Sequence, residues 1–159
     1  MTKEDLMRRA ILLSEKSLRE GGGPFGAVIA KNGKIIAEAS NSVTIDNDPT
    51  AHAEVNCIRK ATHLLGTFNL EGCEIYTSCE PCPMCLGAIY WAHLDHIYYA
   101  NDRVDAAKIG FDDRHLLTVN ILIYQYFHPT FQTHEWLHHE AYSQWVYYVF
   151  GVAELFHHR

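Results

Sequence analysis

Apolar residues recur at helical spacing in the first twenty positions, with Leu6, Ala10, Leu13 and Leu18 on one side. Thr2 reads as the cap of that helix and Asp5 as its capping-box partner, and Gly21-Gly22-Gly23-Pro24 ends it. The pattern then changes to two extended runs, FGAVIAK and KIIAEAS, on either side of Asn32-Gly33. Such a dipeptide between strands predicts a tight hairpin. Asp48-Pro49 predicts the opening of a second helix, with Ile58, Ala61 and Leu65 on its buried face and Gly66 after it. CEIYTSC alternates like a strand, and Pro83 starts a further helix through Met84, Leu86, Ile89, Tyr90 and Trp91. HIYYA fits another strand, followed by a short helix near Asp105–Ile109. Beyond Asp113 the chain turns aromatic: NILIYQYF reads as a strand and EWLHHEAYSQWVYYVF as a helix, with Leu137, Ala141 and Trp145 in register. A hairpin followed by alternating helices and strands predicts an α/β architecture, one mixed sheet covered by helices.

Composition narrows the class. With 159 residues, 48% of them apolar, the chain suits one folded domain over 1–159 with a core of its own. No apolar run approaches the roughly 20 residues that span a bilayer, so no membrane partner is expected. The first residues mix both charge signs and lack a signal peptide's apolar stretch, which predicts a cytoplasmic protein. Thiols stay reduced there, so the five cysteines favour metal or catalysis over disulfides. The net charge of −6, with no long Lys/Arg run, argues against a grip on nucleic acid, whose affinity rests on phosphate contacts. A small neutral substrate fits better.

The chemistry concentrates in His52-Ala53-Glu54 and Pro81-Cys82-Pro83-Met84-Cys85. Zinc nucleobase deaminases carry H-x-E followed by P-C-x-x-C, in which the carboxylate moves protons and the other three residues hold the metal. Both halves here open a helix, where partial positive charge and free N–H groups favour thiolates. His52, Cys82 and Cys85 are therefore the predicted Zn²⁺ ligands, with a fourth position open to water, and Glu54 is the predicted proton acceptor. His52 and Glu54 can converge only if the metal lies off the end of their helix. Cys79 is the complication, because with it the site would be a closed four-ligand one. Cys73, Ile75, Thr77 and Cys79 share one strand face by alternation, so Cys79 reads as a buried bystander. Cys57, in mid-helix, reads as core. The adjacent pairs His138-His139 and His157-His158 point apart on a helix and read as solvated or packed, not as a second metal site.

Four stretches, GGPFGAVI (22–29), NDPTAHAEV (47–55), SCEPCPMCLGAIYWA (78–92) and IGFDD (109–113), make the chain resemble the cytidine deaminase-like superfamily, and within it the bacterial guanine deaminases. The resemblance implies a three-layer α/β/α fold around a mixed sheet of about five strands. It implies hydrolysis of guanine to xanthine and ammonia, with Glu54 relaying protons from the attacking water to N3 and to the leaving amine. It also assigns roles: Phe25 stacks on the purine, Asn41 hydrogen-bonds it, and Ala53 and Cys82 offer backbone N–H groups. Asp113 assists at the amine, with its neighbour Asp112 as the alternative, and Trp91 lines the pocket. A homodimer is implied, in which the segment from about residue 114 crosses to the partner and lays Phe156 over the base. Without the resemblance Phe25 and Trp91 read as core, Asn41 as a turn former and Asp113 as a helix cap. Two rivals stand beside guanine: a guanosine or transfer-RNA adenosine deaminase, and a non-catalytic zinc-binding module.

Overall fold

The structure is a computed structural model that describes residues 1–111 and the strand at 132–135. The first helix, α1 (Lys3–Arg19), starts at the expected cap: the Thr2 hydroxyl accepts from the Asp5 N–H, and the Asp5 carboxylate accepts from the Thr2 N–H at 2.9 Å. The hairpin β1 (Gly26–Lys31) and β2 (Lys34–Ser40) turns at Asn32 and Gly33, with φ of 52° and 72°. Two successive positive φ values make the turn whose twist matches paired strands. A short helix α2 (Val43–Asp46) precedes α3 (Ala53–Leu65), which Gly66 ends in the left-handed region. The strand β3 (Glu74–Cys79), helix α4 (Pro83–Trp91), strand β4 (His96–Asn101) and helix α5 (Arg103–Lys108) follow, and β5 (Gln132–Glu135) completes the set.

The sheet runs β2-β1-β3-β4-β5. β1 is antiparallel to both its neighbours, whereas β3, β4 and β5 are parallel to one another. Alternation sends successive side chains to opposite faces. Val28, Ala30, Tyr76, Tyr98 and Ala100 meet Leu6, Met7, Ala10, Ile11 and Leu13 of α1. Ala27, Ile29, Ile75 and Ile97 face the other way and meet Ala53, Cys57, Ala61 and Ile89 of α3 and α4. Burial on both faces explains the nearly continuous apolar character of β1, and β3 is likewise buried from Ile75 to Cys79. The mixed, helix-covered sheet is the one the pattern predicts.

Gly26 lets α1 lie close to this sheet. A Cβ there would fall 2.2 Å from the Ala10 carbonyl oxygen and 2.7 Å from both Leu13 Cβ and Ser14 N. Backbone cannot yield as a flexible side chain does, so Gly26→Ala should cost about 1–3 kcal/mol by overpacking. A thermal scan should show the melting temperature lower by roughly 2–12 °C. An unchanged melting temperature would mean that α1 lies farther out.

Three expectations need correction. Asp48-Pro49 does not open α3. The Asp48 carboxylate accepts from the Thr50 N–H and hydroxyl, both at 2.8 Å, and closes a turn, and α3 begins only at Ala53. An Asp that caps a helix and an Asp that closes such a turn look alike in sequence, since both bond to an N–H two or three residues on. Glu135, read as the start of a helix, ends β5 instead, and nothing in Gln132–Glu135 alternates enough to announce a strand. NILIYQYF and residues 136–150 lie outside the described residues. Trp91, read as core, is 74% exposed.

Candidate active site

Two helix starts build the site. His52 is the N-cap of α3 and Cys82 the N-cap of α4, both in extended backbone, with φ/ψ of −70°/154° and −67°/167°. Extended caps bend the entering chain so that these side chains project beyond the helix ends instead of along their flanks. His52 Nδ1 lies 3.6 Å from Cys82 Sγ and 3.5 Å from Cys85 Sγ. Tetrahedral Zn²⁺, with bonds of about 2.3 Å to sulfur and about 2.0–2.1 Å to nitrogen, sets an S···N edge of about 3.6 Å. The three ligand atoms, all within 4.8 Å of one another, fit that ion.

The charges fit it too. Hydrogen bonding with Cys85 and with His52 pulls the Cys82 thiol down to about 4, against the opposing effect of burial. Cys85, fully buried, is pushed far up because it donates to Cys82. His52 is raised by its hydrogen bond to Cys82. The cluster thus holds protons between two sulfurs and an imidazole where a divalent cation would displace them. Glu54, the second residue of α3, is 7% exposed, and burial raises its carboxyl to about 6. A carboxyl poised near neutrality both takes and gives a proton readily.

Cys79 stands outside this group. It is 5% exposed at the end of β3, and its Sγ donates to the Asp102 carbonyl at 3.7 Å. Burial raises its thiol, the opposite of what Cys82 shows. Cys57 is fully buried and donates to the Ala37 carbonyl. Cys79→Ser should therefore keep one zinc per chain and lose less than about threefold in turnover. Metal analysis of that variant is the check, and loss of zinc would make Cys79 a ligand.

The substrate-side residues fall into three groups. Phe25 and Asn41 are neighbours, since the Asn41 N–H donates to the Phe25 carbonyl at 3.0 Å, and the next residue, Ser42, donates its N–H to Ala51 beside His52. The buried Asn41 side chain accepts from the Gly23 and Val43 N–H groups through Oδ1, so its turn-forming role is present. That leaves the Nδ2 donor for a ligand. Phe25 packs edge-on against Phe111 with ring centroids 4.9 Å apart. Ala53 is fully buried in the first turn of α3, where N–H groups have no intrahelical acceptor. Trp91 stands apart, edge-on to Tyr90 in the last turn of α4. The cysteine-bearing first turn is roughly 12 Å away along the axis, so nothing among the described residues brings Trp91 to the cluster. Asp113 and Phe156 lie outside the described residues.

Sequence reasoning missed Asn56, Glu80 and Arg103. Asn56 Nδ2 donates to Ser40 O, Ser42 Oγ and Ala51 O, holding the chain before His52 against the end of β2. Glu80 accepts the Arg103 guanidinium through both carboxylate oxygens. An asparagine inside a helix and an ion pair between distant residues leave no local signature.

The family model described as the cytidine and deoxycytidylate deaminase zinc-binding region matches residues 1–101. Guanine deaminase of Bacillus subtilis (strain 168) is 58% identical over 114 residues, spanning 71% of this chain and 73% of its own. An X-ray structure of guanine deaminase from Bacillus subtilis superposes with a TM-score of 0.73 at 55% identity, covering 74% of this chain and 76% of that one. The tRNA-specific adenosine deaminase of Aquifex aeolicus (strain VF5) is 40% identical over 100 residues, spanning 63% of this chain and 66% of its own.

Proposed function

The chain belongs to the cytidine and deoxycytidylate deaminase family, and on that premise we propose that it hydrolyses guanine to xanthine and ammonia. The observation that carries a catalytic reading is the Glu54 carboxyl, buried beside a cluster of three ligands. A binding module has no use for a carboxylate beside an open metal position. Guanine is favoured over transfer-RNA adenosine because the guanine deaminase relative is 58% identical and the adenosine deaminase relative 40%.

Zinc, when held by His52, Cys82 and Cys85, supplies a Lewis acid that acidifies water. Glu54 takes the proton of the water that attacks C2, passes it to N3, and delivers a proton to the departing amine. Ala53 and Cys82 present N–H groups at the helix starts, where developing negative charge is favoured. Asn41 offers its Nδ2 to an acceptor on the purine, and Phe25 offers a ring face. Asp113, or its neighbour Asp112, is the carboxylate this reading assigns to assist at the amine. Phe156 and the segment from about residue 114 close the base from a partner subunit. A homodimer is part of the same reading, because the crossing segment requires a second subunit. No helix among the described residues is long and apolar enough to cross a membrane. A cytoplasmic setting would keep Cys82 and Cys85, both free in this structure, reduced and available to the metal.

Zinc-loaded protein offered guanine, guanosine, cytosine and a transfer RNA with a target adenosine should release ammonia from guanine with a kcat/KM at least about tenfold above the others, a difference worth about 1.4 kcal/mol. Preference for guanosine would show an open pocket, and preference for the transfer RNA would move the chain to the adenosine branch.

A further inference from the structure

Glu80 and Pro81, the two residues between β3 and Cys82, must hold that cysteine in place, and they are tied from one side. The Glu80 N–H donates to the Asn101 carbonyl at 2.7 Å, and Asn101 Nδ2 donates to the Ser78 carbonyl at 2.9 Å. The Glu80 side chain then reaches past the end of β4 to the first residue of α5. Arg103 donates to it from its backbone N–H at 3.1 Å, from Nε at 3.0 Å and from the guanidinium terminus. The side chains of Arg103 and Glu80 are only 22% and 17% exposed. A two-pronged, charge-assisted contact shielded from water is far stiffer than a surface ion pair. Pro81 then leaves little freedom between Glu80 and Cys82.

We propose that Glu80 and Arg103 are positioning residues that clamp the Cys82 loop to the β4–α5 corner and so govern how firmly zinc is retained. The inference rests on the zinc reading of the site and adds a determinant to it. Neither residue touches the ligand atoms. The clamp fixes the peptide that carries Cys82, and the sulfur inherits that placement.

Zinc release into excess chelator, measured on zinc-loaded wild type, Arg103→Ala, Arg103→Lys and Glu80→Gln, tests it. Groups bonded directly to metal ligands typically contribute about 10–100-fold; Glu80 and Arg103 act through the backbone, so Arg103→Ala should release zinc faster by about the lower end of that range, roughly tenfold. Arg103→Lys keeps the charge without the fork and should recover only part of the effect. The kcat for guanine should fall with release while KM stays close to wild type, because the purine contacts are untouched. A merely structural ion pair would lower the melting temperature and leave zinc release unchanged, and that result overturns the clamp. Should Arg103→Ala fail to fold, Glu80→Gln, equal in shape with one acceptor kept, carries the same comparison. Wild type that holds no zinc would overturn the proposed function itself. Wild type that holds it, with every variant releasing at the same rate, overturns only the clamp.

Discussion

Glu54→Gln should retain one zinc per chain and lose about 10²–10⁴-fold in kcat for guanine, the usual contribution of a general acid–base group. The amide fits the same buried space, and it is two residues from His52 without belonging to the ligand group. What it lacks is an acidic proton to give and an oxygen basic enough to take one. Burial raises the Glu54 carboxyl to about 6, which suits a relay that must both accept and donate near neutral pH. A glutamine variant should also bind guanine about as well as wild type, since the loss lies in the reaction step. Steady-state kinetics with zinc analysis distinguish the outcomes, and a Glu54→Gln protein turning over within tenfold of wild type would remove Glu54 from the chemistry.

The second large effect is on the metal. Cys85→Ala should bring zinc content to near zero and abolish guanine hydrolysis. Cys85 is fully buried, so no solvent ligand reaches its place easily, and two remaining ligands do not hold zinc tightly. The thermal consequence follows from mass action. A ligand present at a thousand times its dissociation constant stabilises the folded state by about 4 kcal/mol. Wild type should therefore lose several degrees of melting temperature on treatment with chelator, and Cys85→Ala should melt at the same temperature with or without it. A Cys85→Ala protein that still carries one zinc per chain would show that the ligand set is wrong.

The metal half of the site was legible because its signal is local. H-x-E and P-C-x-x-C each occupy one helix start, and helix starts have chemistry that a sequence displays. The hairpin at Asn32-Gly33 was legible for the same reason, since positive φ at both positions restricts the residues allowed. Asp48-Pro49 misled because capping and turn closure use the same side chain, and the choice was settled by contacts elsewhere, among them Ser42 with Ala51. The Glu80–Arg103 pair spans 23 residues and exists only once β3 and β4 are paired. Trp91 shows the limit in the other direction. An aromatic on an apolar helix reads as buried, yet the buried residues of α4 are Cys85 and Ile89, and Trp91 falls off their stripe. Gln132–Glu135 pairs with β4 with no apolar alternation in its sequence, so nothing local announces the strand.

The central claim is that the zinc site is open, with two sulfurs and one imidazole from the protein. X-ray absorption at the zinc edge, recorded on the isolated zinc-loaded protein, counts sulfur directly. Two sulfurs at about 2.3 Å with two lighter atoms at about 2.0–2.1 Å is the predicted result. Three sulfurs and one nitrogen would bring Cys79 into the shell, close the site to water and contradict the account.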